Sequence, residues 1–540
     1  MKTEPLEIYA EYQKIVQYCT NNNLYEIVKT NENFYDGRQW EGIRADNMPK
    51  PVINVLQRVV KYLIATINSN DVAISMIPMT SVMEDIEKTN VIVKAIMDLI
   101  EQAKIKESAK LMVRNGAVDG SSYMMQTFDP EYETYQEAKG RIVNQLVDNT
   151  CMYFGNPYSN DIQGQPWIIV ALRQHISQVR QEAEDMGVNA NDVEAITPDS
   201  DTDQANDDSD DLVTVLIKFY KKKKKVREVK QTVDLYGMPV EIVEEHEEKT
   251  VWFTKCTRNV VIVKPTDLGY RRYPISQFGW DPKKNSYLFN SPLTYVIPNQ
   301  IFINKCYAIA MMYGLQSAFP KIVYDQSKVE LDEIMETNFV GTASIDMMGK
   351  FLDFIKIPDF SNNILALVQD IMQQTKECMG VNDASLGNVK PENTSAIIAL
   401  QESANVPLEI QRQSYFEMWE DTVRNILDIM TCTYGVRTVM TEENQLATVD
   451  FSLLRGLNFN LRVEIGNGSQ FSETAQMTTL NNLYNSQVID GETLVENTPQ
   501  KLLTSKQRIL QKIKEQREMM AQQQQMMAQQ MPPQGPPQMQ

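Results

Sequence analysis

The chain has 540 residues, 42% of them hydrophobic, with 52 Lys and Arg against 71 Asp and Glu and a net charge of −19. That length exceeds what one hydrophobic core organises, so several regions are expected. The acidic balance excludes tight electrostatic wrapping of nucleic acid, which needs cations to displace phosphate counterions, yet it suits a surface past which a polyanion slides.

The six cysteines, Cys19, Cys151, Cys256, Cys306, Cys378 and Cys432, form no CxxC pair. They read as reduced, mostly buried thiols rather than a disulfide framework or a zinc site. Two histidines, His175 and His246, offer little to a metal site, a triad or a pH switch and read as structural. No uncharged apolar run of about 18 residues occurs and the charged start MKTEPLEIYAEY lacks a signal-peptide core, so a soluble, unexported chain is expected.

In chain order, a helix is predicted over Leu6 to Asn21, followed by FYDGRQW at Phe34 to Trp40, where Asp36-Gly37 signals a turn between aromatic anchors. In PKPVINVLQRVVKYLIATINS, Pro51 suits a first helical position, and Val52, Val55, Val59, Leu63 and Ile67 form an apolar stripe. A third helix is predicted from Glu84 to Asn115 with Gly116 as its stop. The alternating runs SYMMQTF, RIVNQLV and WIIVALR read as strands, and a short helix is expected over Ser177 to Met186.

An acidic insert spans 187–211, densest at Asp199 to Asp211. Asp199, Asp201 and Asp203 alternate as in a calcium loop, but Gln204 stands where such a loop needs glycine and Asp210 where it needs a bidentate Glu, so a solvated loop is the better reading. Lys221 to Lys225 follow LVTVLIKFY and read as the solvated end of a strand or its return hairpin, with contact to phosphate or an acidic neighbour as the other reading. Strands continue through VEIVEEHEEKTVWFTKCTRNVVIVKP.

The apolar helix from Ser291 to Ala318, capped by Ser291-Pro292 and carrying Ile301, Ile309 and Met312, has Pro298 as a restart or kink and ends at Phe319-Pro320. A compact mixed segment with strand-like KIVYD and FLDFIKI and a helix over Val329 to Asn338 follows, then a returning helix over Ile364 to Met379. MGVNDASLGNVKPENTSA is a polar loop. A long helix over Ser395 to Tyr434 is predicted to kink at Pro407, which lacks a backbone donor. Strands around FSLLRG and NFNLRVEIGNG precede one or two helices over Glu473 to Gln530, and the Gln-, Met- and Pro-rich end beyond Met531 reads as disordered.

No GxxxxGK[ST] phosphate cradle occurs: Gly349-Lys350 is followed by Phe351 and lacks the leading glycine. GxSxG, HExxH and GxGxxG are missing too, and Glu244 and Glu245 have no companion base. No catalytic residue, cofactor or metal is expected.

Taken together, FYDGRQW, PKPVINV, YPISQFGWDPKKNSYLFNSPLTYVIPNQIFINK and GVNDASLGNVKPENTSAIIALQ, in that order over Asn31 to Gly435, resemble the portal proteins of tailed bacteriophages, nearest the short-tailed branch. The resemblance implies an α+β portal-type fold. Residues 1–290 would form a mixed wing, 291–318 and 364–379 a two-helix stem, and 319–363 a small α/β clip. Residues 380–394 would be a channel loop, 395–435 a long kinked helix, 436–470 further wing strands, 471–530 a helical crown and 531–540 a disordered tail. It implies a homododecameric ring at one capsid vertex, assembled in the host cytoplasm, through which double-stranded DNA is packaged and ejected without sequence specificity. Its implied partners are the capsid or scaffold protein, the terminase motor and later head-completion or tail proteins, with no membrane.

Under that resemblance Asn382, Asp383, Ser385, Asn388, Lys390 and Glu392 are DNA-channel loop candidates, offering short polar groups able to touch phosphates through water. Lys321, Lys328, Lys350 and Lys356 are partner-docking candidates in the clip. A head–tail adaptor that forms no channel, and an enzyme acting on phage DNA, are the competing readings; length and paired stem helices speak against the first, the missing phosphate loop against the second.

Overall fold

The computed structural model describes residues 3–44, 48–69, 71–78, 83–133, 139–199, 211–233, 239–318, 322–324, 352–354, 362–381, 406–440, 446–452, 459–466, 477, 480–486, 488–498, 509 and 512–513. The chain forms two units, one of Met1–Asn68 with Val72–Glu464 and one of Ser69–Asp71 with Ile465–Gln540. In the second, helix Gly491–Asn497 is capped by Asp490, whose carboxylate accepts from the Thr493 N–H at 3.0 Å. The rest of the predicted crown lies largely outside the described residues.

The first unit opens with helices α1 (Pro5–Asn21), α2 (Leu24–Asp36) and α3 (Val55–Asn68), strand β1 (Asp71–Pro78), and helices α4 (Met83–Gln102) and α5 (Ile105–Asp119). Three sequence expectations are corrected here. Helix α2 was not foreseen; Gly37, at φ +89°, is its left-handed stop rather than a free turn. Pro51 does not start α3, because Asn54 caps it by accepting the Gln57 N–H at 2.9 Å; Val52 is 43% exposed, while Val55, Val59, Leu63 and Ile67 are buried. The long helix breaks into α4 and α5 at Lys104, which adopts φ +52°.

Gly116 lies inside α5, not at its end: a Cβ there would stand 2.5 Å from Phe278 Cδ1, so glycine serves close packing of helix on strand.

Strands β2 (Ser121–Asp129), β3 (Arg141–Asp148), β4 (Met152–Phe154) and β5 (Trp167–His175) lead to helices α6 (Ile176–Asp185) and α7 (Ala190–Glu194). Then come β6 (Leu212–Val233), β7 (Pro239–Cys256), β8 (Val261–Asp267), β9 (Ile275–Gly279), β10 (Asp281–Pro282) and β11 (Phe289–Asn290). Two antiparallel sheets result, ordered β3-β2-β9 and β4-β5-β6-β7-β8. Both bury a face in one apolar core shared with α1 to α5.

The acidic insert is partly structured, since α7 falls within it and Asp199 is held by Arg173 and by Thr214, whose N–H donates to it at 3.0 Å. That engagement of Asp199 removes it from a calcium loop; Asp201, Asp203 and Asp210 lie outside the described residues. The lysine run is not a strand end. It sits mid-strand in β6, where the register sets Lys224 against Glu248 and Lys225 against Glu247. Lys223 pairs with Glu247 at 2.8 Å, Lys224 with Asp267 at 2.9 Å, and Lys222 lies over the Trp252 ring.

Helix α8 (Pro292–Ala318) passes through Pro298. Strands β12 (Ile322–Tyr324) and β13 (Leu352–Phe354) pair antiparallel, and helix α9 (Asn362–Cys378) returns. Helix α10 (Glu409–Thr433) packs on β9 and β2 through Tyr415, Met418, Trp419 and Thr422. It is followed by a hairpin of β14 (Val436–Met440) and β15 (Leu446–Asp450), then β16 (Phe459–Gly466). Of the strand expected around FSLLRG, Phe451 and Ser452 lie just past β15, with Phe451 buried against the Tyr434 ring, and residues 453–456 lie outside the described residues.

Candidate channel-forming and subunit-contact surfaces

Helix α8 is anchored at one end and bare at the other. Ser291 caps it, accepting the Leu293 N–H at 3.1 Å and donating to the Ala117 carbonyl at 2.8 Å. One helical turn apart on the same face, Gln300 and Asn304 are buried polar side chains. Gln300 Oε1 accepts from the Val55 N–H at 3.2 Å, and its Nε2 donates to the Ile53 carbonyl at 2.7 Å and to Asn304 Oδ1 at 3.0 Å. Asn304 Nδ2 donates to Gln39 Oε1 at 2.6 Å, and Gln39 Nε2 to the Phe34 carbonyl at 3.0 Å. Three motifs noted in the sequence, FYDGRQW, PKPVINV and PNQIFINK, therefore meet in one satisfied network that seats the helix.

A second network joins YPISQFGW to α10. Thr422 Oγ1 lies 2.9 Å from Ser276 Oγ, Gln126 Nε2 donates to Ser276 Oγ at 3.1 Å, and Asn425 Nδ2 donates to Gln126 Oε1 at 3.2 Å. Arg272 reaches Asp421 at 2.5 Å.

Beyond its seat, α8 pairs with α9 through Ile303, Cys306 and Val368, backed by an Asn299 Nδ2 to Thr375 Oγ1 bond of 3.2 Å. In its 27 residues Lys305 is the sole charge. Tyr295, Phe302 and Ile309 recur every seventh residue and are 65%, 40% and 47% exposed; Met311 and Leu315 are 49% and 55% exposed. At about 100° per residue, these two groups fall on opposite flanks of the side that meets α9. Leu365 and Leu367 of α9 are exposed as well. A helix apolar all round is stable in water only when further surface covers it.

The sequence candidates for the channel loop, Asn382, Asp383, Ser385, Asn388, Lys390 and Glu392, and those for the clip, Lys321, Lys328, Lys350 and Lys356, lie outside the described residues. Pro407 sits in a 3-10 turn, Val406–Leu408, directly before α10, and its ring packs close to Gly380; residues 395–405 before it lie outside the described residues.

A family model described as phage P22-like portal protein matches residues 16–540. The chain belongs to that family. Comparison with curated proteins returns no match. The chain is thus a phage portal protein, which forms the channel for DNA packaging at a capsid vertex, in a ring associated with capsid and terminase. The channel-free adaptor reading falls away. Portal proteins are structural rather than enzymatic, and among the described residues no group of His, Cys, Asp and Glu is placed to hold a metal and no helix is long and apolar enough to cross a membrane.

Of the histidines, His175 caps α6, its Nδ1 accepting the Ser177 N–H. Burial pushes the thiols of Cys19 and Cys256 in the portal protein up to about 11 and about 12, away from nucleophilic character.

Sequence reading missed an acidic cleft at the end of α5. Arg114 Nη2 donates to Glu32 Oε2 at 2.6 Å, and Asp119 and Asp148 line the same cleft. Burial, then the charge of Glu32, pushes the Asp119 carboxyl up to about 9; burial raises Asp148 as well. The folded portal protein thus keeps a proton that the unfolded chain loses near pH ~3.9. Its contribution to stability is full below about that pH and declines as pH rises towards about 9. Asp119→Asn is expected to raise the thermal midpoint near pH ~8 and to flatten its decline with pH. An unchanged profile would mean that Asp119 is ionised in the fold.

Proposed function

We propose that the portal protein closes into a dodecamer in the host cytoplasm, with α8 and α9 as a stem whose two apolar flanks meet different neighbours. The supporting observation is the charge-poor α8, exposed on both sides of its α9 contact. A cyclic ring is built head to tail, so each subunit needs two distinct complementary faces rather than one self-complementary patch. Residues 319–363 form the clip, where Lys321, Lys328, Lys350 and Lys356 receive first the terminase motor and then head-completion or tail proteins. Residues 380–394 line the channel, and Asn382, Asp383, Ser385, Asn388, Lys390 and Glu392 contact double-stranded DNA through water, holding no sequence register. The kink at Pro407 joins stem to wing, 471–530 form the crown, and the energy of translocation comes from an ATPase supplied in trans, the ring itself having no enzymatic activity.

The test uses one substitution per flank. Ile309→Glu and Leu315→Glu are each expected to abolish rings in sedimentation velocity and negative-stain images while leaving the far-UV spectrum and thermal midpoint of the chain unchanged, because both positions face outwards. Rings of normal size from both variants would refute the stem assignment.

A further inference from the structure

A cleft of about 470 Å³ lies between α4, the start of β3, the end of α10 and the β14–β15 hairpin. Its apolar lining includes Leu99, Met430, Leu446 and Phe451, and two guanidiniums border it. Arg141 lies 5.0 Å from the centre of the Tyr132 ring and donates from Nη1 to the Tyr132 hydroxyl at 3.1 Å. Arg437 stacks 3.9 Å from the centre of the Tyr434 ring, donating from Nε to the Tyr434 carbonyl at 3.3 Å and from Nη2 to the Lys139 carbonyl at 3.0 Å.

Among the described residues neither guanidinium is paired with a carboxylate. Asp98, on the cleft wall, is engaged by Lys94 at 2.8 Å, and Glu133 is exposed at the rim. Arg141 Nε is buried without a hydrogen-bond partner, and burial lowers the basicity of Arg437. Half-buried cations held by rings and carbonyls, with no anion to offset their desolvation, carry a cost that an incoming anion would relieve. The adjoining hairpin is two-stranded among the described residues and leaves Leu446 74% and Val436 59% exposed.

We propose that this cleft takes a carboxylate side chain carried on an apolar peptide segment of a partner protein. The carboxylate meets the planar forks of Arg141 and Arg437, and its apolar neighbours cover Leu99, Leu446 and Phe451. Paired planar donors suit a carboxylate. The apolar lining and the net charge of −19 disfavour a duplex backbone.

The test is isothermal titration of the full-length protein with blocked leucyl-aspartyl-phenylalanine amide, its asparaginyl counterpart and a short DNA duplex. The aspartyl peptide is expected to bind at least ~10-fold more tightly than the asparaginyl one, as a charge-assisted pair requires. Arg141→Gln with Arg437→Gln should erase that preference, and Arg437→Lys, which keeps the charge but loses the fork, should reduce it several-fold and decides the matter if the double variant fails to fold. Equal affinities, no heat from either peptide, a preference indifferent to Arg437→Lys, or duplex binding that depends on these arginines would each overturn the proposal.

Discussion

Asn304→Leu is expected to loosen α8 from its seat against Gln39 and Ile53 and to lower stability by about 3 kcal/mol in the first unfolding transition with denaturant. Leucine keeps the branched outline of asparagine but is larger, so crowding in this closed site adds to the polar loss. It removes the 2.6 Å bond to Gln39 Oε1, leaving that oxygen unpaired, and one of the two acceptors of Gln300 Nε2, which keeps the Ile53 carbonyl, all in a site closed to water. Each buried group left unpaired costs about 1–3 kcal/mol, more than the net value of the bond when made. Lys305→Ala, one residue along but exposed, should change stability by less than about 0.5 kcal/mol. If the two variants unfold at the same denaturant concentration, the network does not hold the helix.

Gly120→Ala is expected to cost a similar amount, about 3 kcal/mol, for a backbone reason. Gly120 closes α5 at φ +97°, and a Cβ there would stand 2.4 Å from the Phe289 carbonyl oxygen, which belongs to rigid backbone just ahead of α8. Strain and clash act together, and neither is relieved by a rotamer change. The displaced strand would also disturb the Trp280 N–H bond to the Gly120 carbonyl, 2.9 Å in the native fold. Ring yield should fall along with the unfolding midpoint. An unaltered midpoint would show that the corner between α5 and α8 is compliant.

Strands β2, β3 and β5 were legible as short runs bounded by turn residues, but their faces were not, since β2 buries six consecutive residues and β5 four. The break at Lys104 was not: a lysine with positive φ carries no local mark. Gly116 and Gly120 look alike in sequence, yet the first admits the Phe278 ring and the second caps the helix. Lys221 to Lys225 read as a solvated strand end; Lys222 to Lys225 are indeed exposed, but the strand runs on past them, with Lys223 and Lys224 paired to Glu247 and Asp267. The lysines expected in a clip and the polar residues expected in a channel loop lie outside the described residues. For α8, the sequence announced Gln300 and Asn304 only as polar interruptions of an apolar run.

By itself the sequence determined the order of the portal motifs, the presence of the strands and a long helix with a single charge, because composition and short-period patterning are local properties of the chain. Only the tertiary structure decided that Gln39 and Asn304, 265 positions apart, share a hydrogen bond, that Asp119 is buried beside Glu32, and that Arg141 and Arg437 border one cleft with neither paired to a carboxylate among the described residues. Such pairings depend on which surfaces the core brings into contact, and no periodicity in the chain encodes that separation.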